Sequence, residues 1–446
     1  GDINDYTRSL LVGRRRGSDC VDHGIYLATR ESRHVVGEYT ISLTDLLQFR
    51  QYDDTIALCY SNYDLKRMNV SPYIQLGILP PDMTAEIPYR SVIPKGLDNL
   101  YVVGKAISAT HCAFPGLRMQ ADLENLGAAI GRVAALAFKL RVGPRDIRIR
   151  DLQKLLIEDG LLPACIAERN SLETETDLST LMAWTADPSV LRLTYTNIRE
   201  DEMINGAIPV VQVLSRKETL PWLEEAFDSA ERSEDKLLYA QLLSWFGSRK
   251  GVEVLIERVR SAMESGLARR AVLIENANTP PDQGAMPEVV HLIYSVGMSG
   301  DPRGVNILEI VVPQVEPTHE AFLATELGLF DYIDALCFVA ERAGAQSVSW
   351  LKELHQKQGL HDQVRHDSQD TVDWIQERRA YLELRIGTAL ARCQCLDGFE
   401  ILMAYLDDCR AVLCDYAYQQ LKGLTQQDLG KHRLAWMSYF NNIGLH

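Results

Sequence analysis

Ser108, Thr110, His111 and Arg118 lie close together in the stretch ISATHCAFPGLR, among small and apolar neighbours. A histidine is the side chain whose ordinary titration falls near neutrality, so His111 could give or take a proton at physiological pH. An arginine keeps its charge and could stabilise an anion that develops beside it. A chemistry of this kind needs elements that hold it in place. The apolar run Asn99 to Val103 reads as a short strand, Gly104 ends it, a loop follows, and a small-residue helix runs from about Gln120 to Lys139. A strand, a glycine and a helix N-terminus in that order make a seat for a polar cofactor edge, because free N–H groups and the helix dipole point outward there.

His111 is accordingly the candidate acid–base residue, and Gly104, Lys105, Ser108, Arg118, Met119 and Gln120 are the candidate cofactor contacts. Each has a plainer alternative. Gly104 could be a strand-to-loop turn, and Arg118 could pair with Asp122 or Glu124 within the fold. His111 could be a satisfied buried histidine, or could bond a cofactor without catalysis. Gly127 and Gly131, four apart on the helix, suit close helix–sheet packing.

The 446 residues suffice for two or three domains at roughly 100–200 residues each. A net charge of -15 argues against a phosphate-backbone partner, so no nucleic acid is expected, and the cluster Arg14, Arg15, Arg16 is too short to reverse this. The nine cysteines are scattered, and Cys393 and Cys395 lack the C-x-x-C spacing of redox or zinc sites. They read as free thiols in a reducing compartment, with no metal site. No secretory signal opens the chain, and the apolar stretch Leu126 to Leu140 is broken by Arg132, so no membrane span and a cytoplasmic location are expected. The chain starts Gly1-Asp2 without a methionine, which suits a processed chain, a tag scar or a trimmed one.

Residues 1–145 read as strand-and-loop rich: Val35 to Leu43 alternates like a strand, Thr44 and Asp45 offer caps for a short helix, and Ile56 to Tyr60 is a second apolar run. Residues 146–212 read as a connecting segment, in which Asp151 could cap a helix that ends at Gly160. Residues 213–446 read as helical and repetitive. Four phrases share an apolar helix, a turn, and a small residue that opens the next helix: LLSWFGSRKGVEVLI, IYSVGMSGDPRGVNIL, LCFVAERAGAQSVSWL and GTALARCQCLDGFEIL. Their small residues, Gly251, Gly304, Ser347 and Gly398, recur after 53, 43 and 51 residues, near the period of paired-helix solenoids. Each pair would expose an apolar face that only a neighbouring pair can cover.

The run IPYRSVIPKGLDNLYVVG, then ISATH, then Arg118, then LGAAIGRVAALA resembles the C-terminal flavin segment of the FAD-dependent oxidoreductase family of the two-dinucleotide-binding-domain type. Upstream, Arg30-Glu31-Ser32-Arg33, VVGEYTISLTDLL and YDDTIAL are similar to the same family. The likeness covers roughly residues 25 to 140 and rests on phrases in order. It implies FAD as cofactor, with Arg118 and the helix N-terminus at Met119 and Gln120 facing the charge on the reduced ring. Covalent attachment at His111 or Cys112 is a minor option. Arg30, Glu31 and Arg33 could meet an acidic substrate or form an internal ion-pair network. Some members of the family continue into C-terminal helical repeats.

Two departures matter. No G-x-G-x-x-G occurs in the chain, and Asp64-Leu65-Lys66 stands where relatives often carry Asp-x-His, so chemistry assigned to that histidine does not transfer. The expected fold class is therefore α/β, a partial flavin-binding domain lacking the N-terminal Rossmann half, followed by an all-α HEAT-like solenoid. The expected function is the C-terminal chain of a split or processed FAD-dependent oxidoreductase that moves hydride from a small-molecule substrate to flavin. A second polypeptide carrying the Rossmann nucleotide-binding half would be its obligate partner in a heterodimer. The alternative is a scaffold or regulatory subunit with a vestigial flavin segment, which binds a protein through its helical repeats.

Overall fold

The computed structural model describes residues 31, 33–60, 63, 71–78, 84–168, 176–191, 193, 208–270, 286–367 and 373–442, together with Thr7 and Leu11. The contacts within the chain divide it into two units, one built mainly from residues 31–74 and 78–222, the other from Leu223 onward with Gln75–Gly77.

In the first unit, the expected short helix forms as α1 (Leu43–Leu47), but Thr44 and Asp45 lie inside it and do not stand as its N-cap. Ser42 is its N-cap and Asp45 reaches back, so each side chain satisfies the other's backbone N–H. Strand β1 (Thr55–Cys59) follows, then helix α2 (Pro72–Leu76) and strand β2 (Ala85–Pro88). The two strands pair antiparallel, with Ala57 opposite Ile87 and Cys59 opposite Ala85, and both are buried along their length. Helix α3 (Gln120–Leu140) packs its buried face of Leu126, Ala129, Ile130 and Val133 against β1, and helix α4 (Ile149–Glu158) packs on both. The Gln153 amide of α4 donates to the Asp53 and Thr55 carbonyls at 2.9 and 3.1 Å, which ties that helix to the start of β1. Helix α5 (Leu178–Ala186) is capped by Asp177, which accepts from Thr180 N–H.

The expected α/β class is corrected here. Among the described residues the sheet has two antiparallel strands, and helices make up most of the rest. Two expected strands do not form ladders. Residues 35–41 are held between two loops by single bonds, Val35 N–H to Ala106 O, Glu38 N–H to Ile93 O and Ile41 N–H to Ser108 O, with isolated bridges at Gly37 and Ile41. Pro94, opposite Gly37, has no N–H to continue a ladder. Asn99 to Val103 is irregular: Asn99 sits at φ 54, and Leu100 and Val103 stand exposed. Apolar composition had suggested a buried strand, but a β-branched run has no such requirement when nothing covers it.

The second unit is helical throughout its described residues. After the helical residues 208–214 come α6 (Leu220–Ser229), α7 (Ser233–Trp245), α8 (Val252–Ala262), α9 (Glu288–Met298), α10 (Val305–Val311), α11 (His319–Leu323), α12 (Leu329–Ala343) and α13 (Val348–Gln356). They are followed by α14 (Trp374–Arg392), α15 (Leu396–Ala404), α16 (Ala411–Thr425) and α17 (Arg433–Asn442). Each repeated phrase spans the end of one helix and the start of the next: α7–α8, α9–α10, α12–α13 and α14–α15. The first helices of successive pairs stack on one another, α7 on α9, α9 on α12, and α12 on α14. The small residue that opens the second helix has a steric reason at Gly398, where a Cβ would run into the backbone of Ala391 and Gly387 on α14.

Polar side chains bind this stack from inside. Tyr294 of α9 donates to Asp334 of α12 at 2.8 Å, and Arg385 of α14 donates to the same carboxylate at 2.7 Å and to Glu341 at 3.0 Å. Arg392 also pairs with Glu341. Burial, with Asp334 alongside, pushes the Tyr294 phenol far above its ordinary range, so it stays a donor. Glu383 of α14 accepts from Tyr405 at 2.7 Å and from the Asp362 and Gln363 N–H groups at 3.0 and 2.9 Å, which anchors the loop after α13.

Candidate functional site

The structure places the sequence candidates in two groups. Gly104 opens a single 3-10 turn, Gly104–Ala106, with φ +70, the left-handed region that favours glycine. A Cβ built on it meets nothing within 4 Å, so the backbone there borders open space. This turn packs against α3. Lys105 is half-buried within it. Arg118 is buried just before α3, Met119 is the helix N-cap, and Gln120 is its first residue, exposed. Met119 supplies no side-chain cap, so the first-turn N–H groups of this 21-residue helix have no side-chain acceptor at that position. Gly104, Lys105, Met119 and Gln120 thus belong to the turn and helix end on which the sequence placed a cofactor edge.

One carboxylate already occupies the first turn of α3. Asp122 Oδ1 accepts from the Tyr60 N–H at 3.1 Å, while Oδ2 is buried with no hydrogen-bond partner. Arg118 has a partner of its own in the fold.

Ser108 is fully buried, and its hydroxyl is engaged by the protein itself. It accepts from the Gly37 N–H at 3.0 Å and shares a hydrogen bond with Thr40 at 2.8 Å. It fastens residues 37–41 to the loop after Gly104, and this brace is what the side chain does in the fold.

His111 is exposed, not the buried histidine of the plainer alternative. Its Nδ1 meets Glu31 Oε2 at 2.7 Å, and Glu31 Oε1 meets His34 Nε2 at 3.0 Å. Of the charged set Arg30, Glu31 and Arg33, Glu31 is hydrogen-bonded to His111 and His34, Arg33 is exposed, and Arg30 lies outside the described residues. Asp64-Leu65-Lys66 and Arg14, Arg15, Arg16 also lie outside them. Cys112 is half-buried, and burial together with Glu31 pushes its thiol above the ordinary range. Glu31 as the partner of His111, with His34 behind it, was missed from sequence. They stand 80 and 77 residues away, and no spacing rule links side chains across that distance.

Among the described residues no group of three or more His, Cys, Asp or Glu side chains is arranged to hold a metal ion, and no helix is long and apolar enough to cross a membrane.

Residues 12–156 match the family model of FAD dependent oxidoreductase. That span contains the Gly104 turn, the N-terminus of α3 and the Glu31–His111 pair. No curated protein and no solved structure matches the chain.

The residues present fit the polar edge of a flat ring. Gly104 borders open space, and the uncapped end of α3 offers backbone N–H donors beside the cation of Arg118. Among the described residues no strand, glycine-rich turn and helix follow one another in the manner that grips a dinucleotide pyrophosphate.

Proposed function

We propose that this chain is part of a flavin-dependent oxidoreductase acting on a small molecule, with the ring edge of FAD seated at the Gly104–Ala106 turn and the N-terminus of α3. The family match over residues 12–156 carries this reading. When bound, FAD would supply the hydride acceptor. The chain's own part is to bind and orient. Gly104 lets a flat group approach the backbone, the first turn of α3 and Arg118 face negative charge, and Ser108 with Thr40 keeps the loop between them from shifting. In this reading the nucleotide end of FAD is held by a second polypeptide with a strand, a G-x-G-x-x-G turn and a helix. In the same reading the helix pairs beyond Leu223 form a HEAT-like extension.

Purification of the full chain from the cells that make it, with what it holds, tests this. The expected result is a yellow preparation that releases FAD on denaturation and contains a polypeptide bearing the glycine-rich turn. A colourless preparation that takes up no added FAD would overturn the reading.

A further inference from the structure

Glu31 stands between two imidazoles, and every group that faces a ring nitrogen in this array is an oxygen acceptor. Glu31 Oε2 faces His111 Nδ1 at 2.7 Å, and Glu31 Oε1 faces His34 Nε2 at 3.0 Å. His34 Nδ1 faces the Ile107 carbonyl at 3.0 Å, and the His34 ring meets Phe114 edge-on at 4.5 Å. Nitrogens that face acceptors carry hydrogen. His34 bridges Glu31 and the Ile107 carbonyl through its two ring nitrogens and so holds the carboxylate in place. His111 donates from Nδ1, which leaves Nε2 with the lone pair and, among the described residues, no hydrogen-bond partner. Exposure rises along the array: the side chains of His34, Glu31 and His111 are 17, 26 and 54% accessible. The inner end is anchored in the fold and the outer nitrogen opens to solvent.

We propose that His111 Nε2 accepts the proton of a hydroxyl or amine on a small substrate, with Glu31 as a positioning residue that fixes the Nδ1–H tautomer and His34 as its anchor. This rests on the oxidoreductase reading, because a carbon gives up hydride readily only as the heteroatom beside it loses its proton. In the step, the X–H bond of the substrate breaks, its electron pair stays on X, and the proton bonds to Nε2. The imidazolium so formed faces the Glu31 carboxylate. The neighbouring Cys112 thiol does not compete, since burial and Glu31 keep it protonated at neutral pH.

Nitrogen NMR of the full chain labelled at histidine tests the positioning without any cofactor, with His111→Asn and His34→Asn assigning the signals. The neutral His111 ring is expected in the Nδ1–H form, and Glu31→Ala is expected to shift it towards the Nε2–H form. A wild-type His111 in the Nε2–H form, or a tautomer indifferent to Glu31→Ala, overturns the positioning. In the flavin-loaded complex, His111→Asn is expected to lower kcat by roughly 10²–10⁴-fold with little change in KM. His111 is exposed, so this variant keeps its fold. A yellow complex whose turnover ignores His111→Asn overturns the proton role alone. A colourless protein with the expected tautomer ends the oxidoreductase reading, and the substrate proton with it, while Glu31 remains shown as the group that orients His111.

Discussion

The loops around Glu31 and the helices beyond Leu223 both bury charge, yet they use it differently. Around Glu31 and Ser108, polar side chains fasten loops and leave one nitrogen, His111 Nε2, facing outward. In the helical unit, Asp334, Glu341 and Arg385 face one another across α12 and α14, and Tyr294 closes the set from α9. The first arrangement holds one imidazole in place, and the second holds helices to helices. The difference lies in what surrounds the charge. A loop gives its side chains backbone partners and an open side, whereas stacked helices satisfy their own backbones and leave side chains only one another.

Arg385→Ala should break the comparison most severely. It takes the shared cation from two buried carboxylates, leaving Asp334 with Tyr294 and Glu341 with the exposed-side Arg342 and Arg392. Removal of one partner from a buried pair costs about 3–5 kcal/mol. Denaturant unfolding should show that loss in the helical unit. Gly398→Ala comes next. Better helix propensity favours alanine by about 1 kcal/mol, but the new methyl meets backbone that cannot yield, and overpacking costs about 1–3 kcal/mol. The melting temperature should fall, and a rise would show that α15 can move away from α14. Ser108→Ala leaves the buried Gly37 N–H without its acceptor and should cost about 1–3 kcal/mol. Hydrogen exchange at Gly37 should speed up with it.

His111→Asn sharpens the contrast from the other side. The residue is exposed, so stability should change by no more than about 0.5 kcal/mol, read by the same denaturant titration. A large loss would make His111 a brace like Ser108. The smallest effect concerns thiols. At neutral pH the exposed Cys165 should alkylate ahead of Cys112, whose thiol is pushed up by burial and Glu31. Mass spectrometry of the alkylated chain gives the order.

Much of the local structure was legible in the residues. The helix Gln120–Leu140 lies where small-residue periodicity put it, a short helix ends at Leu47 although its cap is Ser42 and neither Thr44 nor Asp45, and the helix after residue 148 ends before Gly160. The cap of that last helix was misread: Arg148 is the N-cap, and Asp151 lies inside the first turn. Asn99 to Val103 was misread because apolar content signals burial only when something covers the run. Of the candidate site, the Gly104 turn and the end of α3 could be found from neighbours in the chain, and the engagement of Ser108 by Gly37 and Thr40 could not.

The sequence by itself determined where the main helices lie and the small residues between paired helices, because those depend on groups within a few residues of each other along the backbone. Only the tertiary structure decided that the strands would number two in the described sheet, that Arg385 would meet Asp334 and Glu341, and that His111 would be oriented by Glu31. Hydrogen bonds between side chains are chosen by distance in space, and chain separation carries no record of it.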